Sequence, residues 1–202
     1  RREAAREAIR QIGAKALPLL LQRMDPQTDA ELGSRMQAVK AFQLLGPAAQ
    51  PAIPALARLL NDKRSASDAA RALAAIGPAA VETLAGGLGH ADAQVRASAA
   101  RAVGEIGEGA RPAVPALIKC LKDEDLNVRS GAIASLERIK HDPETVVPAL
   151  IDVLKEGDLS VRIAAAAALG AFGGQAKAAV PELTKAAASK AEFLRDAAAG
   201  AL

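Results

Sequence analysis

DAQVRASAARAVGEIG, running from Asp92 to Gly107, decides how this chain folds, because it returns in altered form along most of the sequence. Asp125 opens a second version, DLNVRSGAIASLERIK, and Asp158 a third, DLSVRIAAAAALGAFG. Aligning the copies places an arginine at Arg2, Arg35, Arg96, Arg129, Arg162 and Arg195, with Ala66 in the one gap, and the last three intervals are each 33 residues. A fixed period of this length marks stacked supersecondary units, none of which buries its apolar face alone. The 202 residues divide into about six and a half such units. The expectation is one array over 1–202 that is cut within a repeat at both ends.

Each unit reads as two helices. The second, helix B, opens at Asp-x-x-Val-Arg and closes at glycine. Asp92, Asp125 and Asp158 lie three residues before the valine, where a carboxylate accepts bonds from free first-turn N–H groups and contributes about 1 kcal/mol as a cap. Val95, Ala99, Val103 and Ile106 then follow i, i+4, i+8, i+11, a single helical stripe. The first helix, helix A, is marked at its start by prolines, paired at Pro51 and Pro54 and at Pro112 and Pro115, single at Pro148 and Pro181. Leu117, Ile118 and Leu121 form its stripe.

Near the start of the chain, Ala16 to Met24 reads as a helix stopped by Asp25 and Pro26. A protruding loop is expected over Asp25 to Gly33, and Met36 to Leu45 as the partner helix. The third repeat, around 61–91, is irregular. Its connection over Asn61 to Ser67 is short and lacks the Val-Arg pair, Gly86-Gly87 weakens its helix A, and a local change of curvature is expected there.

Composition fits thin, closely packed helices. Hydrophobic residues make up 50% of the chain, yet there are only three Phe and no Trp or Tyr, which leaves Ala, Leu, Ile and Val to form the interior. The net charge of +3 is mild for this length and opposite charges alternate, so a nucleic-acid partner draws little support. The single cysteine, Cys120, rules out an intrachain disulfide and any multi-cysteine metal or redox site. The longest apolar run, Ile163 to Phe172, is about half a bilayer core, so membrane insertion is not expected. A cytoplasmic location is favoured, with the reservation that the chain opens at Arg1 and an upstream signal segment could precede it.

The series Asp125-Leu-Asn-Val-Arg129, Ala132, Leu136 and Ile139, preceded by Val114-Pro115-Ala-Leu117, resembles HEAT repeats of the short bacterial type grouped with phycobilisome-lyase-like repeats. The resemblance implies an all-α, right-handed α-solenoid of antiparallel helix pairs, HEAT/armadillo-like. It also implies that the second helix of each pair lines the concave surface, and that Asp and Arg in the turns form a ladder between neighbouring units. Asp123 with Arg129, and Asp29 with Arg35, match that spacing, while His90, Glu156 and Ser189 hold the acidic position elsewhere. The His-Glu pairs of the HEAT-like hydroxylases are absent.

Two sets of residues stand out as candidate sites. Arg35, Arg96, Arg129, Arg162 and Arg195 would make a row of phosphate contacts if they were free. Their first-turn position beside a capping Asp favours the alternative, bonding to Asp side chains and helix-end carbonyls across the turns. The second set lies on the outward face of helix B. Over Val161 to Phe172 the expected outward positions are Ile163, Ala164, Ala167, Gly170 and Ala171, where the two preceding units carry Arg101 and Glu105, then Glu137 and Arg138. A helix apolar all round is buried on more than one side. It is either a partner-docking patch with Ile163 as its anchor, or a place of tight packing. Lys40, Arg71, Arg101, Glu105, Glu137 and Arg138 would be the polar flank, with Ile163, Ala167 and Ala171 the apolar centre.

Catalysis finds little in the sequence. His90 and His141 sit in different turns, no phosphate loop or nucleophile–base pair is present, and Cys120 falls among Leu117 and Leu121 as a small hydrophobe. The reading is a non-enzymatic scaffold in a larger complex, binding a protein through the concave surface, with no cofactor, metal or small molecule expected. Two alternatives stay open: a subunit of a phycobilin-lyase-like chromophore-attachment or modification complex, suggested by the resemblance alone, and a weak non-specific nucleic-acid binder.

Overall fold

The computed structural model describes Gly13 and residues 15–28 and 32–202. Those residues form helices and connecting turns without strands. Helix α1 covers 15–24, followed by α2 (Leu32–Leu45), α3 (Ile53–Leu60), α4 (Ala66–Ile76), α5 (Val81–Gly87) and α6 (Ala93–Ile106). The second half holds α7 (Val114–Cys120), α8 (Leu126–Ile139), α9 (Pro143–Glu156), α10 (Leu159–Phe172), α11 (Val180–Ala187) and α12 (Glu192–Ala201). Odd-numbered helices are the A helices and even-numbered ones the B helices, and from α3 onward each A helix packs on the B helix that follows it. The result is a right-handed α-solenoid.

The interior consists of what the composition supplies. Leu56, Leu73, Leu84, Leu117, Leu136 and Leu150 are fully buried, and Val95, Val128 and Val161 lie at one register in three successive B helices with no exposed surface. Each unit thereby closes the apolar face of its neighbour, which is the source of stability in a stack of this kind.

B helices pack closely on one another, in the series α2, α4, α6, α8, α10, α12, whereas successive A helices scarcely touch. Close approach needs small residues, and the register supplies them. Ser135 Oγ donates 2.6 Å to the Ala100 carbonyl oxygen, and a methyl group at Gly104 would sit only 2.8 Å from Ser135 Cα. A stack drawn together along one row of helices and splayed along the other bends toward the first. The B helices therefore line the inner, concave surface.

Several boundaries differ from the sequence reading. Helix α2 already includes Leu32 and Gly33, which the sequence reading placed in a protruding loop; residues 29–31 of that loop lie outside the described residues, and Asp25 stays local by accepting from the Gln27 N–H at 2.8 Å. Pro148 lies inside α9 rather than at its start. The reason is the preceding turn. After α6 and α10, Gly107 and Gly173 take positive φ with ψ of −137° and −131°, and a seven-residue 3-10 segment leads to helix A. After α8 the equivalent residue is Lys140, in the left-handed region at φ 47°, ψ 41°, and the chain goes directly into a fourteen-residue α9. Leu159–Ala187 is apolar enough by composition to pass for a membrane span. Gly173, at φ 53°, divides it into α10 and α11, each shorter than the roughly 20 residues a span requires.

Candidate functional site

The first-turn arginines of α2, α6 and α8 are largely consumed inside the array. Arg96, 9% exposed, donates from Nε and Nη2 to both carboxylate oxygens of Asp123 in the next unit, at 2.8 and 2.9 Å. Its Nη1 donates to the carbonyls of His90 and Ala91 at 2.9 and 2.8 Å. Burial alone would raise the Asp123 carboxyl, but the bonds from Arg96 and from the Asp125 N–H outweigh it and hold the group below its ordinary value. Arg129 repeats the pattern with the carbonyls of Asp123 and Glu124, at 2.7 and 2.9 Å, and with Asp158 of the following unit. Arg35 donates 2.7 Å to the Arg64 carbonyl and faces Asp68 at 3.5 Å.

The ladder stops there. Arg162 donates only to the Leu154 carbonyl, 2.8 Å away in its own unit, and Arg195 meets Glu192 and Asp196 of its own helix. Arg162 joins no second unit, contrary to the ladder role the resemblance implied for it, and Arg195 lies in the last unit of the chain, with no following one within reach. The partner position explains the difference. Six residues before the ladder positions 66, 96, 129, 162 and 195 the chain reads Leu60, His90, Asp123, Glu156 and Ser189. Only Asp123 is short, charged and fixed by its own turn. Its carboxylate accepts the N–H two residues on, as His90 Nδ1 and Ser189 Oγ also do, at 2.9, 3.0 and 3.1 Å. The pair that matters is thus Asp123 with Arg96 of the preceding unit, while Arg129 takes the Asp123 backbone. Asp29 lies outside the described residues.

Caps follow the same division. Asp92 accepts from the Gln94 N–H at 2.8 Å and Asp125 from Asn127 and Val128 at 2.7 and 3.2 Å. Asp158, expected to cap α10, makes no capping bond, because its carboxylate is turned to Arg129.

A second series lies on the exposed face of the B helices. Five residues beyond the ladder position, Lys40, Arg71, Arg101, Ala134, Ala167 and Gly200 are exposed in every described copy. Glu105 and Arg138 are exposed on the adjoining row, with Glu137 half-buried beside them. Ile163, Ala164, Gly170 and Ala171 are half-buried, and Ile163 packs against the core. Ala167 is thus the exposed member of this set on α10, while Ile163, the expected anchor, is partly buried. Sequence reasoning passed over Ala134 and Gly200, and also Met36 and Leu44, which are 48% and 74% exposed on α2. The signal that finds the first two is their register with Lys40 and Ala167.

Among the described residues no group of three or more His, Cys, Asp or Glu is placed to hold a metal ion. Cys120 is buried with its Sγ 3.9 Å from the Leu88 carbonyl oxygen, and burial pushes its thiol up, away from the thiolate a nucleophile needs. A cleft of about 730 Å³ beside the ends of α7 and α9 is lined by Ile118, Leu121 and Val153 and by the ladder residues Asp123, Arg129 and Asp158.

A family model described as HEAT repeats matches residues 62–137, 81–156 and 114–202. Among solved structures, an engineered protein is similar with a TM-score of 0.61 and 24% identity, over 91% of this chain and 94% of the other. A designed armadillo repeat protein gives 0.55 and 21%, over 92% and 98%. Computationally designed armadillo repeat proteins for modular peptide recognition give 0.56 and 19%, also over 92% and 98%. These likenesses concern the fold. No curated protein matches.

Proposed function

Because this chain belongs to the HEAT-repeat family, we propose that it is a non-enzymatic scaffold that binds a partner protein along the inner surface of its B helices. The observation that carries the reading is how the charges are divided. Arg96 and Arg129, the ladder residues best placed for phosphate, are spent on carbonyls and carboxylates of the array. A separate inner row, Lys40 to Gly200, faces solvent in all six described copies. A surface already fixed by helix packing orders little on binding, so many shallow contacts add up to useful affinity. The armadillo likeness points the same way, since the designed proteins so named are described as made for peptide recognition.

The test begins with purification of the protein and its companion from the source organism and identification of the companion by mass spectrometry. Titration of the recombinant pair follows. Ala167→Glu, which sets charge and bulk at an exposed position of the inner row, is expected to weaken binding about tenfold or more, with the helical circular dichroism unchanged. Ile163→Asp should do the same at some expense of stability. Unchanged affinity in both variants overturns the reading.

A further inference from the structure

The inner row changes character midway. At one register it carries Lys40, Arg71 and Arg101 on α2, α4 and α6, then Ala134, Ala167 and Gly200 on α8, α10 and α12. Among the described residues neither Lys40 nor Arg101 has an ion-pair partner, and Arg71 is held only within its own helix, donating 3.1 Å to Ser67 Oγ and facing Asp68, already shared with Arg35, at 4.0 Å. Three cations thus stand at equivalent positions on three adjacent helices. Met36 and Leu44, one turn to either side of Lys40, add exposed apolar surface.

We propose that this half of the inner surface binds an extended anionic peptide segment that presents one carboxylate per repeat, a reading that rests on the inner surface being the recognition face. Helices packed through small residues lie toward the close end of about 8–10 Å. A polyproline II segment has three residues per turn and rises about 3.1 Å per residue, so every third side chain returns to one face about 9 Å further on. Acidic residues at every third position therefore meet the cations in step. A nucleic-acid backbone fits less well, because Glu105 and Glu137 lie beside and beyond Arg101, and a continuous run of phosphates would have to cross them. Phe42 and Phe172 are buried, and the exposed Phe193 is at the start of α12, so this half of the row has no ring on which a base could stack.

Fluorescence anisotropy of the full chain tests the proposal, with a fluorescein-labelled peptide of four Glu-Pro-Pro triplets at low salt. The double variant Arg71→Glu, Arg101→Glu should weaken binding about tenfold or more, and Lys119→Glu, Lys155→Glu, the same charge change on exposed A-helix positions, less than about twofold. A peptide of the same composition with its four Glu in one block should bind more weakly than the spaced one. Equal losses from the two double variants, equal binding of the block peptide, or tighter binding of an oligonucleotide of matched charge would each overturn the proposal. If it falls while Ala167→Glu still weakens the native companion, only the anionic register is lost. If Ala167→Glu and Ile163→Asp are also silent, the scaffold reading goes with it.

Discussion

The handover from α6 to α7 and the handover from α8 to α9 solve the same problem with different residues. At the first, Gly107 takes φ 71°, ψ −137°, the 3-10 segment Gly107–Ala113 follows, and α7 has seven residues. At the second, Lys140 and Asp142 both adopt left-handed conformations, no 3-10 segment forms, and α9 runs for fourteen residues with Pro148 inside it. The cross-links diverge as well. Arg96 joins its unit to the next through the fully engaged Asp123, whereas Arg162, at the same place in the motif, finds Ser189 where an acid would be and settles on a carbonyl of its own unit. Two stretches with the same B-helix signature therefore differ in how firmly they are tied to their neighbours. The tie is set by residues outside the signature.

The largest contrast should come from the arginines. Arg96→Ala leaves Asp123 enclosed without its counter-ion and should cost about 3 kcal/mol, while Arg162→Ala removes one exchangeable bond and should cost about 1 kcal/mol. Urea unfolding measures both, and equal costs would break the comparison.

Next is the turn. Gly107 has open space around it, so Gly107→Ala is opposed only by the backbone, in a region that residues with a side chain rarely enter, and should cost about 2 kcal/mol. Lys140→Gly should go the other way, stabilising by about 1 kcal/mol or less as left-handed strain is relieved against a gain in unfolded-chain entropy. A destabilised Lys140→Gly would show that the lysine side chain, and not its backbone, holds that junction.

A smaller effect follows from the Asp123 carboxyl, which Arg96 helps hold below its ordinary value. Such a group contributes stability that is present above the unfolded-state value and disappears as pH falls through the folded one. The advantage of wild type over Arg96→Ala should accordingly be constant where Asp123 is ionised in both, and shrink as acid protonates the variant's enclosed carboxyl before that of wild type. An advantage that persists unchanged into acid would remove the ion pair from the explanation.

The fold was legible because its determinants are local and repeated. Val95, Val128 and Val161 recur at one interval, and each is buried in the same place. The caps were legible where nothing competed: Asp92 and Asp125 cap, whereas Asp158 has a competing arginine that its own helix does not reveal. Ladder pairing was harder, since Asp123 lies six residues before Arg129 in sequence but gives its carboxylate to Arg96 of the unit before. Long-range partnership of this kind depends on how units stack. The exposure of Arg71 and Arg101 was legible from helical periodicity, but the exposure of Ala167 and partial burial of Ile163 depend on how closely α8 and α12 approach α10.

Recognition on the inner side of the bend is tested most directly by two matched substitutions and the companion protein. Ala167→Glu alters the inner row, and Val180→Glu alters an exposed residue at the start of α11, on the splayed A-helix side. Dissociation constants for wild type and both variants should show a loss of about tenfold or more for Ala167→Glu and little change for Val180→Glu. The reverse pattern, with Val180→Glu impaired and Ala167→Glu unaffected, would contradict the account and move the binding surface to the outside of the solenoid.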